Sequence, residues 1–190
     1  MLGDLQRRKA AYYFDLIDED DNGVIEAADF RERADRLAES LDVSDGEERA
    51  QLRRRVMQWW QHLSTLADEN DDGQITREEW RMYWARFKVA VSMGSDRQSI
   101  SNLQKAARYT FRAIDRTGSG RITEEEFLNW LAAWDVEADE TVFRRLDRDD
   151  DGYLTEADLA EATTEFYLSN DPSAPGNVLY GELPEEMEQL

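Results

Sequence analysis

No cysteine occurs among the 190 residues, which excludes a disulfide framework, thiolate zinc sites and thiol catalysis at once. Histidine occurs once, at His62, and lysine only at Lys9, Lys88 and Lys105. No segment approaches the roughly 18 consecutive apolar residues of a membrane span. The first residues, MLGDLQRRKAAYYF, hold no long apolar run before a small-residue cleavage site. A cytoplasmic location is the expectation. Positive charge is scarce as well: 23 Lys and Arg stand against 43 Asp and Glu, a formal net charge of -20. Nucleic acid and anionic membrane surfaces would be repelled, so neither is expected as a partner, whereas cations are. Aromatic residues make up 11% of the chain and apolar ones recur at helical spacing, so the acidity belongs to a folded surface and not to a disordered segment.

What is present in abundance is one repeated unit. Twelve-residue acidic stretches with glycine at the sixth position run from Asp18 to Asp29, Asp68 to Glu79, Asp115 to Glu126 and Asp147 to Asp158. Apolar residues four and one places upstream mark one helical face before three of them: Phe14 and Ile17, Phe111 and Ile114, Phe143 and Leu146. The second stretch has Ser64 and Ala67 there, with Leu63 and Leu66 one residue earlier, so its entering helix is expected to be rotated or irregular. Phe30, Trp80, Phe127 and Leu159 open the exiting helices. The eighth loop position holds Ile25, Ile75, Ile122 and Leu154, which suits a short antiparallel bridge between loops, Ile25 pairing with Ile75 and Ile122 with Leu154. The fold class expected is all-α, with short β-bridges between paired loops. A junction near SMGSD, Ser92 to Asp96, separates two units, and Ser95 with Gln98 forms a capping box for the next helix. Val43 to Gln51 reads as a turn and a helix start that enlarge the first unit.

The spacing is that of a calcium loop, because calcium takes six to eight oxygens and positions 1, 3, 5, 7, 9 and 12 supply them. Glycine at position 6 meets a turn that a Cβ resists. The first loop offers Asp18, Asp20, Asn22, the Val24 carbonyl and Asp29; the second Asp68, Asn70, Asp72, the Gln74 carbonyl and Glu79. The third offers Asp115, Thr117, Ser119, the Arg121 carbonyl and Glu126; the fourth Asp147, Asp149, Asp151, the Tyr153 carbonyl and Asp158. Only the second matches the strict pattern throughout. Asp29 and Asp158 close their loops one methylene short of Glu, which favours lower coordination and lets Mg²⁺ compete with Ca²⁺ there. The third loop has two side-chain carboxylates and is expected to be the weakest site or the fastest to release its ion. At the ligand positions other than position 9, the four loops hold twelve side-chain carboxylates, so the metal-free chain is expected to be loose and ion binding to supply much of the folding free energy.

These loops, their spacing and the ending FYLSNDPSAPGNVLYG (Phe166 to Gly181) resemble the sarcoplasmic calcium-binding protein family with its calerythrin-like members, within the EF-hand superfamily. Asp closing the first loop is part of the resemblance. It implies four EF-hands in two paired lobes packed compactly face to face, and a monomeric cytosolic Ca²⁺ and Mg²⁺ buffer without enzymatic activity. The units are then an amino-terminal pair, 1–92, a carboxyl-terminal pair, 97–168, and a tail, 169–190, packing back on the carboxyl-terminal lobe. Such proteins often carry a degenerate hand, whereas all four look usable here.

Two exiting helices bear aromatic stripes at i, i+3, i+4, i+7: Trp80, Tyr83, Trp84, Phe87 and Phe127, Trp130, Leu131, Trp134. Helical stripes usually mean packing, so interlobe core is the first reading, and a cavity for a planar, luciferin-like ligand is the alternative. Photoprotein pockets employ several histidines, and His62, read as a partly exposed surface residue, has no second. A sensor is the other alternative, yet Met1, Met57, Met82, Met93 and Met187 are too scattered to line a methionine-rich groove. Val178, Leu179, Tyr180 and Leu183 are expected to occupy the place a target would take. No nucleophile stands beside a positioned base.

Overall fold

The computed structural model describes residues 2–40, 43–92 and 97–184. The expected capping box of Ser95 with Gln98 lies outside the described residues, as do Met1, Met93 and Met187. The described chain is helical: α1 (Asp4–Ile17), α2 (Ala27–Ser40), α3 (Gly46–Ala67), α4 (Arg77–Ser92), α5 (Arg97–Ile114), α6 (Glu124–Ala132), α7 (Glu140–Leu146) and α8 (Glu156–Leu168). Each acidic stretch joins two of them. Its first Asp ends the entering helix, with the backbone N–H of Asp18, Asp68, Asp115 and Asp147 donating to the carbonyls of Phe14, Ser64, Phe111 and Phe143 at 2.8–3.0 Å.

Within the loops lie β1 (Val24–Glu26), β2 (Gln74–Thr76), β3 (Ile122–Thr123) and β4 (Tyr153–Leu154). β1 pairs antiparallel with β2, placing Ile25 opposite Ile75, and β3 pairs with β4, placing Ile122 opposite Leu154. All four aliphatic side chains are fully buried, so the bridge is held from below by the core as well as by its own hydrogen bonds. The all-α fold with short bridges between paired loops is the one the sequence predicts.

Of the two alternatives expected for the helix entering the second loop, rotated or irregular, α3 takes the first. It runs unbroken for 22 residues from an Asp45 N-cap that accepts from Glu47 and Glu48, and it is regular up to the loop. Its buried face is Val56, Trp59, Trp60, Leu63 and Ala67, so the helix is rotated, and Leu63 serves where the other entering helices use a phenylalanine.

Both aromatic stripes are buried, and Tyr13 and Tyr180 connect them, Tyr13 lying against Trp80 and Tyr180 against Trp130. Trp84 lies 4.6 Å from Tyr167 of α8 and Trp134 lies 5.2 Å from Trp59 of α3, ring centroid to centroid. The tail enters the same space. After α8 the chain turns through a 3-10 segment, Pro175–Val178, which rests on α7 and α8. Val178, Leu179 and Tyr180 are buried while Leu183 is partly exposed. The Tyr180 ring stacks on Tyr13 of α1 at 4.2 Å, meets Phe166 edge-on at 4.9 Å and reaches Trp130 at 5.6 Å. α1 and α8 are stitched directly: Lys9 donates to the carbonyls of Glu165 (3.2 Å) and Ser169 (3.0 Å), and Gln6 donates to that of Leu168 (2.7 Å), one of the carbonyls that the end of a helix leaves open.

Candidate metal centres

The loops share one backbone trajectory. Position 6 is glycine at φ 78 to 86° in all four (Gly23, Gly73, Gly120, Gly152), and its N–H donates to the position-1 Asp at 2.9–3.0 Å. Position 4 is left-handed as well: Asp21, Asp71 and Asp150 hold φ of 54–57°, and the third loop uses Gly118 at 67°. Aspartate tolerates that conformation at a cost and glycine without one, which accounts for the extra glycine of the third loop.

The twelfth residue is tied into the loop in each case. Asp29 accepts from the backbone N–H of Glu19 (3.1 Å) and Glu26 (2.6 Å), and Glu79 from those of Glu69 (3.2 Å) and Thr76 (2.9 Å). Glu126 accepts from Thr117 and Thr123, and Asp158 from Thr155. Position 9, for which the sequence reading named no residues, ties the loop to its exiting helix. Thr123 and Thr155 cap α6 and α8 in reciprocal capping boxes with Glu126 and Asp158, and Thr76 exchanges the same hydrogen bonds with Glu79. The first loop has Glu26 there, whose carboxylate accepts from Gln74 of the second loop at 3.0 Å and so links the two loops.

The donor sets fit a hard divalent cation. Among the described residues, oxygens of Asp18, Asp20 and Asp29 lie within 4.8 Å of one another, and so do those of Asp147, Asp149 and Asp151. Asp29 therefore converges with its loop partners despite its short side chain, whereas Asp158 is not part of the fourth cluster. Buried oxygens without a hydrogen-bond partner remain on Asp68 and Asp147, the position-1 ligands of the second and fourth loops. Such atoms are costly unless something electropositive meets them. In the third loop the donors satisfy each other instead: the Ser119 hydroxyl donates to the Arg121 carbonyl at 2.8 Å, and the Asp115 carboxylate accepts from the Ser119 and Gly120 backbones. Burial raises the pKa of Asp18, opposed by the N–H groups of Gly23 and Asn22, and burial likewise raises that of Asp29. Burial also acts to raise Glu79, but hydrogen bonds from Thr76 and Glu69 outweigh it and hold that carboxyl below its ordinary value.

Charged residues at position 2 are a further feature that the sequence reading passed over. Glu19 forms ion pairs with Arg33 and, at 2.8 Å, Arg36 of α2. Arg148 pairs with Glu161 and Glu165 of α8, and Glu165 also accepts from Gly176 of the tail at 2.7 Å. His62 is partly exposed, with its ring 5.5 Å from Tyr109.

Helix, glycine-centred oxygen-lined loop and helix, bridged in pairs, define the class of calcium-binding EF-hand proteins, and the chain belongs to it. A family model described as an EF-hand domain pair matches residues 65–132, and an EF hand model matches residues 139–161. Within that class the chain is related to calerythrin of Saccharopolyspora erythraea, 26% identical over 158 residues that cover 82% of this chain and 88% of the relative. It is also related to the sarcoplasmic calcium-binding protein alpha chain of Penaeus vannamei, 25% identical over 185 residues that cover 90% of this chain and 91% of the relative. The solved structure of a sarcoplasmic calcium-binding protein from amphioxus shares the fold at a TM-score of 0.69 and 22% identity, covering 97% of this chain and all of that one. The sarcoplasmic relatives are named as calcium-binding proteins and not as enzymes, in line with the non-catalytic expectation. No helix of the described residues is long and apolar enough to cross a membrane.

Proposed function

We propose that the protein is a monomeric cytoplasmic buffer that takes up Ca²⁺ in all four loops, with Mg²⁺ competing chiefly at the first and fourth, and that it is not a sensor. The observation carrying this reading is Tyr180. A sensor must uncover an apolar face for a target, and here the faces beneath the loops are packed against each other with Tyr180 between Tyr13, Phe166 and Trp130. In this reading the same ring stands in place of a planar ligand among those aromatic residues.

In this reading residues 1–92 and 97–168 are the two paired units and 169–190 is the tail, whose described residues pack back on the carboxyl-terminal lobe. The ligands are the side chains at positions 1, 3, 5 and 12 and the carbonyls of Val24, Gln74, Arg121 and Tyr153. A bound cation supplies neutralisation of the crowded carboxylates. The loops pre-form its cradle, because the position-1 Asp is already held by the glycine N–H and the position-12 carboxylate by the position-9 N–H. The third loop, with two carboxylates and a serine hydroxyl committed to Arg121, is the weakest.

A dye that reports exposed apolar surface, followed during calcium titration, tests the role. Its signal is expected to fall as the loops fill. A large rise would favour a sensor, and stoichiometric tryptophan quenching by an added aromatic ligand would favour a ligand-binding module.

A further inference from the structure

The first loop is wired to the helix that leaves the third. Glu19 sits at its second position, and its side chain is only 3% exposed, paired with Arg33 and Arg36 of α2. Arg33 is 7% exposed at its side chain and has further partners. It donates to the Ala133 carbonyl at 2.7 Å and to the Leu16 carbonyl at 2.9 Å, and its guanidinium lies 4.4 Å from the Trp134 ring centroid. Arg36 pairs with Asp135, so both arginines grip the residues just past the end of α6. α6 is only nine residues long, and its opposite end carries Glu126, the twelfth residue of the third loop.

Each contact in this chain is orientation-dependent. A guanidinium fork engages a carboxylate and a carbonyl in fixed directions. Buried ion pairs are also sensitive to small displacements, because the local dielectric is low. Glu19 lies directly between Asp18 and Asp20, so whatever reorganises those ligands reorganises it. A short rigid helix then passes the change from Trp134 to Glu126.

We propose that Glu19 and Arg33 are positioning residues that make cation binding in the first loop and in the third mutually dependent through α6, although the two loops belong to different β-bridges. The inference rests on the reading that both loops bind calcium. Dependence of this kind is reciprocal: an ion in the first loop strengthens the third, and an ion in the third strengthens the first.

The test follows the backbone amides of Gly23 and Gly120 in ¹H–¹⁵N spectra during calcium titration, since each reports its own loop. Asp18→Asn disables the first loop, and it is expected to move the Gly120 midpoint to calcium concentrations at least about fivefold higher. In a Glu19→Gln/Arg33→Met background, where neither charge remains, the same Asp18→Asn change is expected to leave the Gly120 midpoint within about twofold. Should that double variant lose its fold by circular dichroism, Arg33→Lys keeps the charge but not the fork, and the same loss of dependence is expected. A Gly120 midpoint indifferent to Asp18→Asn in the unaltered background overturns the inference while leaving the buffer reading intact, as does an equal shift in both backgrounds. Absence of any calcium response at Gly23 or Gly120 overturns both.

Discussion

In the first three loops the twelfth-position carboxylate has two backbone partners before any cation arrives, one N–H across the loop and one at position 9, and its reach decides what is left for the ion. Asp29 already converges with Asp18 and Asp20, while Asp158 is not part of the fourth-loop cluster. Asp158→Glu is therefore expected to raise the preference for Ca²⁺ over Mg²⁺ more than Asp29→Glu does, as read by calorimetric calcium titration with and without millimolar Mg²⁺. Lys9 offers a second residue-level test. It is fully buried, and burial pushes its amine down to about 8 from the ordinary 10.5, with the Glu165 carboxylate pulling the other way. Between those values the unfolded chain keeps a proton that the folded chain has released, so stability rises with pH across that window. Tyr12 and Tyr180, pushed up to about 12 by burial, act in the opposite sense above about pH 10. Thermal melts of the calcium-loaded protein from pH 7.5 to 9.5 are expected to show a rise that Lys9→Met lacks.

At the scale of the element, each exiting helix begins inside a loop, so helix capping and ion geometry share atoms. Thr123→Ala removes the hydroxyl half of the α6 capping box and is expected to cost about 1 kcal/mol. That corresponds to a melting temperature lower by roughly 2–4 °C, read by circular dichroism in excess calcium. Its effect on third-loop affinity should accompany the loss, because the Glu126 carboxylate accepts from both the Thr123 hydroxyl and its N–H. The helices, bridge register and buried stripes were legible in the sequence because a loop of fixed length sets the phase of everything around it. The shifted apolar pair before the second loop left open whether α3 is rotated or irregular, and packing takes the rotated form, with Leu63 and Ala67 on one face with Val56 and Trp59. The Glu19, Arg33 and Ala133 connection was not legible, because its partners are 14 and 100 residues apart in the chain and meet only when α2 and α6 pack. Gly118 was legible in principle, as a second glycine standing where the other loops carry aspartate.

For the molecule as a whole, a net charge of -20 makes cation removal an electrostatic event. A loop saturated at about a hundred times its dissociation constant contributes about 2.7 kcal/mol. Three such loops shift the melting temperature by roughly 15–30 °C. Chelation is expected to produce a fall of that order. Added sodium chloride should recover part of it in the chelated protein while scarcely affecting the loaded one, because salt screens exposed repulsion and not filled sites. The contact between Tyr13 and Tyr180 carries a different consequence. Their hydroxyls meet at 2.9 Å across a sequence separation of 167, and Lys9 reaches Ser169 across 160. Such a seam has almost the longest closure the chain permits, so the hands are expected to assemble fast from neighbouring segments while the seam joins last. Refolding after a calcium jump should then be biphasic. A mutation at Tyr180 should delay the slow phase while sparing the fast one, making the kinetics of uptake from the unfolded state a property of the tail and not of the loops.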